Sequence, residues 1–437
     1  MNDKKIHFVG IAGVGMSALA QMLFREGAKV TGSDNARFPT LDAVDKLGIP
    51  VTIGYSAENI PKDAELIVYT DAAHPDNLER IEAERCGIQQ KSYFEMLGEV
   101  SKNKKTIAVA GTHGKTTTTG MLARILRDTG VSPTAIVGSI VKDFDSNYLS
   151  GTSDILVVEA CEYRNHLLEL SPEVLVITNL EWDHTDYFLS LDALQETFKK
   201  AIARVPADGV IVTNPNDKNI APLLAHAKAR VVDYTKETSY TLRLPGEFNQ
   251  NNARAAAAAA RAVLARMTPG VGNHALTPGV DGLISESLSN FQGTWRRFEY
   301  KGKSENGADV YDDYAHHPTA VKKTLEALRA KTSGKIYIAF HPHLFSRTKD
   351  LLDEFAVAFS DADRVVIAPI YAARETDDGS ISSEILAERI RATGTEAFAL
   401  DTFGAIENAL GEAGQGDTIM TMGAGDIYKV ADELVKK

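Results

Sequence analysis

Short apolar runs alternate along this chain with longer stretches in which apolar residues recur at helical spacing, and most of the runs end on glycine or on a polar cluster. Ile6-His-Phe-Val9 is the first. Gly10-Ile-Ala-Gly-Val-Gly-Met-Ser17 follows it, then a helical pattern over 18–27 and a second strand, Lys29-Val-Thr31, closing on Gly32-Ser-Asp34. This pattern predicts a βαβ unit with a glycine-rich first turn. Further strands are expected at Leu66-Ile-Val-Tyr69 and near Ile88. An apolar run over 108–110 then enters Gly111-Thr-His-Gly-Lys-Thr116 and a helix over 120–127. Later strands are expected at 154–160, 174–178, 209–213, 335–340, 364–368 and 418–422, with another starting at Val310. Helices are expected over 190–205, 280–288 and 320–328, and a long one carries the alanines 255–260; residues 268–278, rich in glycine and proline, read as loop.

A chain of 437 residues exceeds what one hydrophobic core usually supports. The fold class that follows is α/β in three domains: a Rossmann-like first domain, a central P-loop ATPase-like parallel or mixed sheet, and a C-terminal Rossmann-like domain. The polar run Ser101-Lys-Asn-Lys-Lys105 marks the first break, which gives domains at 1–101, 102–294 and 295–437. With 44% hydrophobic and 24% charged residues, this is an ordinary globular composition. A net charge of -12 without a basic patch argues against a nucleic-acid partner. Two cysteines and no apolar run near the ~20 residues of a membrane span point to a reduced cytoplasmic setting, with no membrane partner.

The chemistry concentrates where strands end. Gly111 and Gly114 let the backbone curl around phosphate, Lys115 can reach the outer phosphates of a nucleoside triphosphate, and the Thr116 hydroxyl can join a Mg²⁺ shell. The loop is shorter than a full Walker motif, which would need glycine at Val109. Glu159, at the carboxyl end of the 154–160 run, is the metal carboxylate expected beside such a loop. Asp183, His184 and Asp186 offer two carboxylates and an imidazole for a metal or a phosphate-bound water. Asn251 and Asn252 can present amides to a purine edge. Phe291 to Glu299 reads as a surface strand or as the source of a phosphate-facing charge at Arg297; Asp312, Asp313, His316 and His317 crowd one loop, and His341 to Thr348 is a basic and polar one. The first turn, with Gly13, Gly15, Met16 and Ser17, is placed to take a pyrophosphate, with Asp34 near a ribose, and His74 lies at another strand end.

Taken together these motifs resemble the Mur ligase family of peptidoglycan synthesis, over all three domains. The family's G-T-x-G-K-T loop is matched from Gly111 through Thr112, Gly114, Lys115 and Thr116 to Thr117, its Mg²⁺ glutamate by Glu159 and its second metal-side residue by His184. Its adenine-side asparagines are matched by Asn249 and Asn252, its arginine by Arg297 and its ribose-side aspartate by Asp313. Gly13 to Ser17 and Asp34 resemble a UDP-binding turn, His343 and Arg347 resemble the loop that meets the sugar's carboxylate and the incoming amino acid, and His316 is an implied substrate-binding residue. Two positions depart from the family pattern: Asn249-Gln250 stands where His-Asn is usual, and Leu344 where arginine is common. The resemblance implies an ATP- and Mg²⁺-dependent ligase of peptidoglycan precursor synthesis, acting through an acyl phosphate, as a monomer or homodimer. Lys115, His184, His343 and Arg347 are its implied catalytic residues. Within the family the motifs are most like those of the branch joining L-alanine to UDP-N-acetylmuramate; the alternative is the branch that reattaches the tripeptide L-Ala-γ-D-Glu-meso-diaminopimelate. A dehydrogenase reading of the first 100 residues leaves the phosphate loop unused.

Overall fold

A computed structural model of the chain describes residues 3–267 and 279–436; the loop expected at 268–278 lies outside the described residues. Three sheets form, one in each predicted region. The first contains β1 (Lys5–Val9), β2 (Lys29–Asp34), β3 (Val51–Ile53), β4 (Leu66–Tyr69) and β5 (Gln89–Ser92) in the order β3-β2-β1-β4-β5, all parallel. Its glycine turn leaves the central strand, where neighbouring connections run to opposite sides and open a crevice for a ligand. β2 is longer than the pattern predicts, because pairing of Gly32 with Val51 and of Asp34 with Ile53 carries it through the polar residues.

The second sheet contains β6 (Lys105–Ala110), β7 (Thr134–Val141), β8 (Ser146–Leu149), β9 (Ile155–Glu159), β10 (Pro172–Ile177), β11 (Val210–Thr213) and β12 (Arg230–Asp233), ordered β12-β11-β10-β6-β9-β7-β8. Only the β7–β8 pair is antiparallel. β6, β9 and β10 read as continuous apolar runs because both sheet faces are covered, and Ile107 to Ala110, Leu156 to Val158 and Val174 to Ile177 are all buried. The alanine run falls in the helix Glu247–Met267 and is buried along its length, where small side chains let neighbouring elements approach closely.

The third sheet contains β13 (Glu299–Lys303), β14 (Asp309–Asp313), β15 (Ile336–His341), β16 (Arg364–Ile367), β17 (Glu396–Ala399) and β18 (Thr418–Gly423), ordered β13-β14-β18-β15-β16-β17, with β13 the antiparallel edge. One face packs Val321, Leu325, Phe355 and Phe359 against Ile338 and Phe340; the other packs Ile406, Leu410 and Val430 against Ala339 and Ile419. Each fully buried side chain of this size stabilises by about 1.5–3 kcal/mol. The helix expected from Ala320 is Pro318–Arg329, with Pro318 in its first turn and His317 as its N-cap. By chain contacts the molecule divides into two compact units. The first holds the two N-terminal sheets. The second comprises Glu181–Ala193, Leu242–Gln250 and Gly293–Lys437. Among the described residues no helix is long and apolar enough to cross a membrane.

Candidate functional site

In the first unit β6 runs between β10 and β9, so its carboxyl end is flanked by two further strand ends. Val109 pairs with Glu159 as an ordinary strand residue. The loop begins only at Gly111, which is why a glycine at 109 is not needed. Gly111 has φ 127° and Gly114 φ 81°, where a side chain is strained. Space forbids one as well: a Cβ on Gly111 would lie 2.2 Å from Thr178 Oγ1, and one on Gly114 would lie 2.2 Å from Asn252 Oδ1. The loop is braced from the end of β10. Asn179 accepts from the N–H groups of Thr112 (3.2 Å) and His113 (2.9 Å), and Thr178 Oγ1 donates to His113 O at 2.6 Å.

Gly114 caps the helix Lys115–Asp128, which turns Lys115 back over the loop. Its Nζ donates to Gly111 O at 2.5 Å, to Thr112 O at 3.3 Å and to Glu162 Oε1 at 3.0 Å. Burial opposes the ammonium charge, yet the charges around it, Glu162 foremost, raise its pKa above the ordinary lysine value. Glu162, 1% exposed, is a partner the sequence reading missed. The available signal was a second carboxylate three residues beyond Glu159.

Thr116 Oγ1 donates to Glu159 Oε1 at 3.0 Å, and Gly138 N–H donates to Glu159 Oε2 at 2.7 Å. The residues present fit Mg²⁺. A hydroxyl and a carboxylate are hard oxygen donors, and 3.0 Å is the separation of neighbouring ligands around an octahedral ion with bonds of about 2.1 Å.

At the glycine turn of the same unit, Gly13 caps the helix Val14–Arg25, which therefore presents backbone N–H groups in its first turn. The side chains are otherwise occupied. Met16 is buried, Ser17 Oγ donates to Val14 O (3.0 Å) and accepts from Asn147 Nδ2 (2.8 Å). Asp34 Oδ2 accepts from Ala12 N–H at 2.8 Å, so its carboxylate shapes the turn; burial raises its pKa despite these bonds. His74 stands in the exposed loop beyond β4.

The second unit gathers another set. Arg347, 2% exposed, directs Nε (2.8 Å) and Nη2 (2.7 Å) at Asp183 Oδ1, and its Nη1 lies 3.0 Å from His343 Nδ1. Asp183, read from sequence as a metal or water ligand, is thus committed to Arg347, whose charge overrides burial and holds the carboxyl well below its usual range. His343 and His316 lie 5.9 Å apart, ring to ring. Burial, with Arg347 nearby, pushes His343 down to about 3 and His316 well below the usual value, so both rings are neutral near pH 7. His184 has φ 53°, and its N–H donates to Asp183 at 2.6 Å. Asp186 receives two bonds from Arg374, at 2.8 and 2.6 Å.

Asp313 accepts from Phe298 N–H (2.6 Å) and Ala315 N–H (2.7 Å), yet burial pushes it up to about 6. Of the paired arginines, Arg296 is the structural one: it donates to Asp312 (2.8 Å) and to the carbonyls of Gly425 (2.8 Å) and Gly423 (2.6 Å). Arg297 lies 4.9 Å from the Tyr314 ring. No sequence signal separated the two. The surface strand considered at 291–299 does not form, because Arg296 (φ 58°) and Phe298 (φ 47°) adopt left-handed backbone. Asn249, which donates to Pro245 O at 2.7 Å, belongs to the second unit, whereas Asn252 belongs to the first, beside Gly114.

Three sequence models match the chain: "Mur ligase family, catalytic domain" over residues 5–105, "Mur ligase middle domain" over 109–241, and "Mur ligase, glutamate ligase domain" over 296–425. A UDP-N-acetylmuramate–L-alanine ligase of Clostridium acetobutylicum is 38% identical over 465 residues, covering 100% of this chain and 98% of that one. A solved structure of a UDP-N-acetylmuramate–alanine ligase from Thermotoga maritima superposes with a TM-score of 0.79 at 27% identity, covering 99% of this chain and 98% of the other. A murein peptide ligase from Psychrobacter arcticus shares the fold, with a TM-score of 0.73, 24% identity and coverage of 99% and 98%.

Proposed function

This chain belongs to the Mur ligase family of ATP-dependent, amide-forming ligases, and from that premise we propose that it joins L-alanine to the lactyl carboxylate of UDP-N-acetylmuramate in peptidoglycan precursor synthesis. The observation that carries the chemistry is the phosphate loop with Thr116 and Glu159 only 3.0 Å apart at the ends of adjacent chain elements. The choice of alanine and of this UDP-sugar rests on the full-length likeness to the alanine enzymes. ATP is cleaved to ADP and phosphate: a carboxylate oxygen of the sugar attacks the γ-phosphorus, ADP leaves, and the amine of alanine then attacks the acyl carbon and displaces phosphate.

Attack of a carboxylate on a triphosphate brings like charges together, so the site must neutralise them. Lys115 supplies one positive charge. Mg²⁺, held by Thr116 and Glu159, would supply the rest of the screening on the phosphate oxygens. We assign the glycine turn from Gly13 to Ser17 to the UDP diphosphate, His184 to the metal side, and Asn249, Asn252, Arg297 and Asp313 to the nucleotide. His343 and His316, uncharged near pH 7 because burial disfavours their protonated rings, are assigned as hydrogen-bonding groups for the incoming amine. Arg347 orients His343 from its fixed seat on Asp183. We place the enzyme in the cytoplasm, as a monomer or homodimer; two free cysteines accord with a reducing compartment.

The test is phosphate release with ATP and UDP-N-acetylmuramate across L-alanine, L-serine, glycine and the tripeptide L-Ala-γ-D-Glu-meso-diaminopimelate. Turnover with L-alanine, absent when any one substrate is omitted, is expected. Preference for the tripeptide would overturn the substrate assignment.

A further inference from the structure

We propose that Asn147 is a positioning residue of this reaction: its buried amide fixes how far the glycine turn, and with it the UDP-sugar, stands from the phosphate loop. Asn147 is the second residue of β8 and lies under the first turn of the helix Val14–Arg25. Both hydrogens of its amide are spent there. Nδ2 donates to Val14 O and, at 2.8 Å, to Ser17 Oγ. On its other side Oδ1 accepts from Gln21 Nε2 at 3.2 Å, and the same nitrogen donates to Ser17 O at 3.2 Å. Asn147, Ser17 and Gln21 are all buried, so the network is closed off from bulk water.

A patch of apolar contact tolerates sliding, whereas directed bonds from one buried amide hold a single arrangement. These bonds reach the part of the helix that faces a ligand. Val14 is the first helical residue after Gly13, and Ser17 N–H closes the first turn on Gly13 O at 2.8 Å. The N–H groups of Val14, Gly15 and Met16 come before any intrahelical acceptor and are the ones a diphosphate would take. Asn147 competes for none of them, because it takes only acceptors of this turn, a carbonyl and a hydroxyl.

From Asn147 the tie runs straight across the central sheet. Its neighbour Tyr148 pairs with Ile136 in the β7–β8 hairpin, Ile136 with Val158 of β9, and Val158 with Ala108 of β6. Ala108 stands three residues ahead of Gly111, and all four side chains of the row are buried. Strands about 4.8 Å apart make this a hydrogen-bonded row of ~14 Å, from the first helix to the strand that enters the phosphate loop. The UDP-sugar must reach from the turn to the γ-phosphate, so its acyl end inherits any error in that distance. A misplacement of about 1 Å costs about 100-fold in rate. This inference rests on the UDP-sugar reading proposed above.

Asn147→Ala removes the amide and keeps the backbone of β8. Isothermal titration with UDP and with ATP is set beside steady-state phosphate release at saturating substrates, with L-alanine or whichever of the four amine substrates turns over. The expected result is a fall in kcat of at least tenfold, with UDP and ATP affinities within twofold of wild type. A bridge that only stabilises the fold would lower the melting midpoint and leave kcat unchanged, and that outcome would overturn the inference. So would a loss of UDP affinity as large as the loss in kcat/KM, which would make the amide a support for the shape of the turn itself. Should Asn147→Ala not fold, Gln21→Met, which removes the amide that braces Asn147, takes its place: a fall in kcat of at least threefold at unchanged affinities supports the inference, and an unchanged kcat overturns it. Turnover with another amine in place of L-alanine removes the choice of amino acid alone, and the comparison of kcat with affinity still decides the bridge. Wild-type enzyme that binds no UDP would overturn premise and inference together, before any variant is made.

Discussion

Gly138 offers a way to displace Glu159, the carboxylate proposed to hold the metal, without touching it. The residue lies in β7 outside the left-handed region, so alanine there is conformationally permitted. A Cβ would nevertheless sit 2.4 Å from Glu159 Oε2 and 2.6 Å from both Cδ and Oε1. Ordinary contact starts at 3.4 Å, so the carboxylate must retreat by 3.4 − 2.4, about 1 Å. Mg²⁺ bonds of about 2.0–2.1 Å in a near-ideal octahedron do not stretch that far, and a misplacement of about 1 Å in reacting geometry costs about 100-fold. The backbone bond from Gly138 N–H to Glu159, at 2.7 Å, breaks in the same movement. Overpacking of this kind costs about 1–3 kcal/mol, which a typical margin of about 5–15 kcal/mol survives. Phosphate release titrated with Mg²⁺ at saturating ATP is the assay. Gly138→Ala is expected to lower kcat/KM about 100-fold and to raise the half-saturating Mg²⁺ concentration at least tenfold, while nucleotide binding without Mg²⁺ stays within twofold. A wild-type Mg²⁺ curve from Gly138→Ala would refute the placement of the metal on Glu159.

Two further outcomes concern the second unit. Asp183→Ala leaves the buried Arg347 guanidinium without its carboxylate and should destabilise by about 3–5 kcal/mol in urea unfolding; adding Arg347→Met should recover most of that, and an additive second loss would show that the pair is not coupled. The pH dependence follows from His341 and His343, pushed down to about 4 and about 3 chiefly by burial, and from Asp313, pushed up to about 6 by burial. Between pH 4 and 6 the unfolded chain binds more protons at His341, His343 and His316, the last also held well below its usual value by burial, while the folded chain keeps more at Asp313 and at Asp312, which burial also raises; a fully engaged group counts for about 1.4 kcal/mol per pH unit. Three histidines outweigh two aspartates, so stability should rise from pH 4 to 6. Trp182 and Trp295, the only tryptophans of the chain, both lie in this unit and report its unfolding by fluorescence; a flat or falling profile would contradict the sign.

The phosphate loop was legible because its requirements are local. Two left-handed glycines, a lysine and a threonine after an apolar run specify both a backbone and a charge within six residues, and the structure forms that loop. Glu159 was legible for the same reason, as an acid at the end of a buried strand. Gly138 and Asn147 were not, although residues 134–141 are largely apolar, because their importance comes from pairing: β7 lies beside β9, and β8 brings Asn147 under the first helix. The Asp183–Arg347 pair joins residues 164 apart in sequence, and no local pattern marks either as the other's partner. Which of Arg296 and Arg297 is buried depends on a left-handed backbone at 296 that arginine does not advertise.

Charge balance at the loop ties these findings to the reaction. Lys115 rests on Glu162, and the side chain of Glu162 is 2% exposed. Drawing the ammonium fully away would leave a buried carboxylate unpaired, at a cost of several kcal/mol. The bonds to Gly111 O and Thr112 O are the cheaper ones to give up, since a loop carbonyl is neutral and can turn toward water. Lys115 is therefore expected to meet the outer phosphates while still held by Glu162, so that its charge is already half spent when ATP arrives. One lysine in that state cannot neutralise both a triphosphate and an attacking carboxylate. The remaining demand falls on the groups around Glu159, where Thr116 and Glu159 are the pair that would hold a metal.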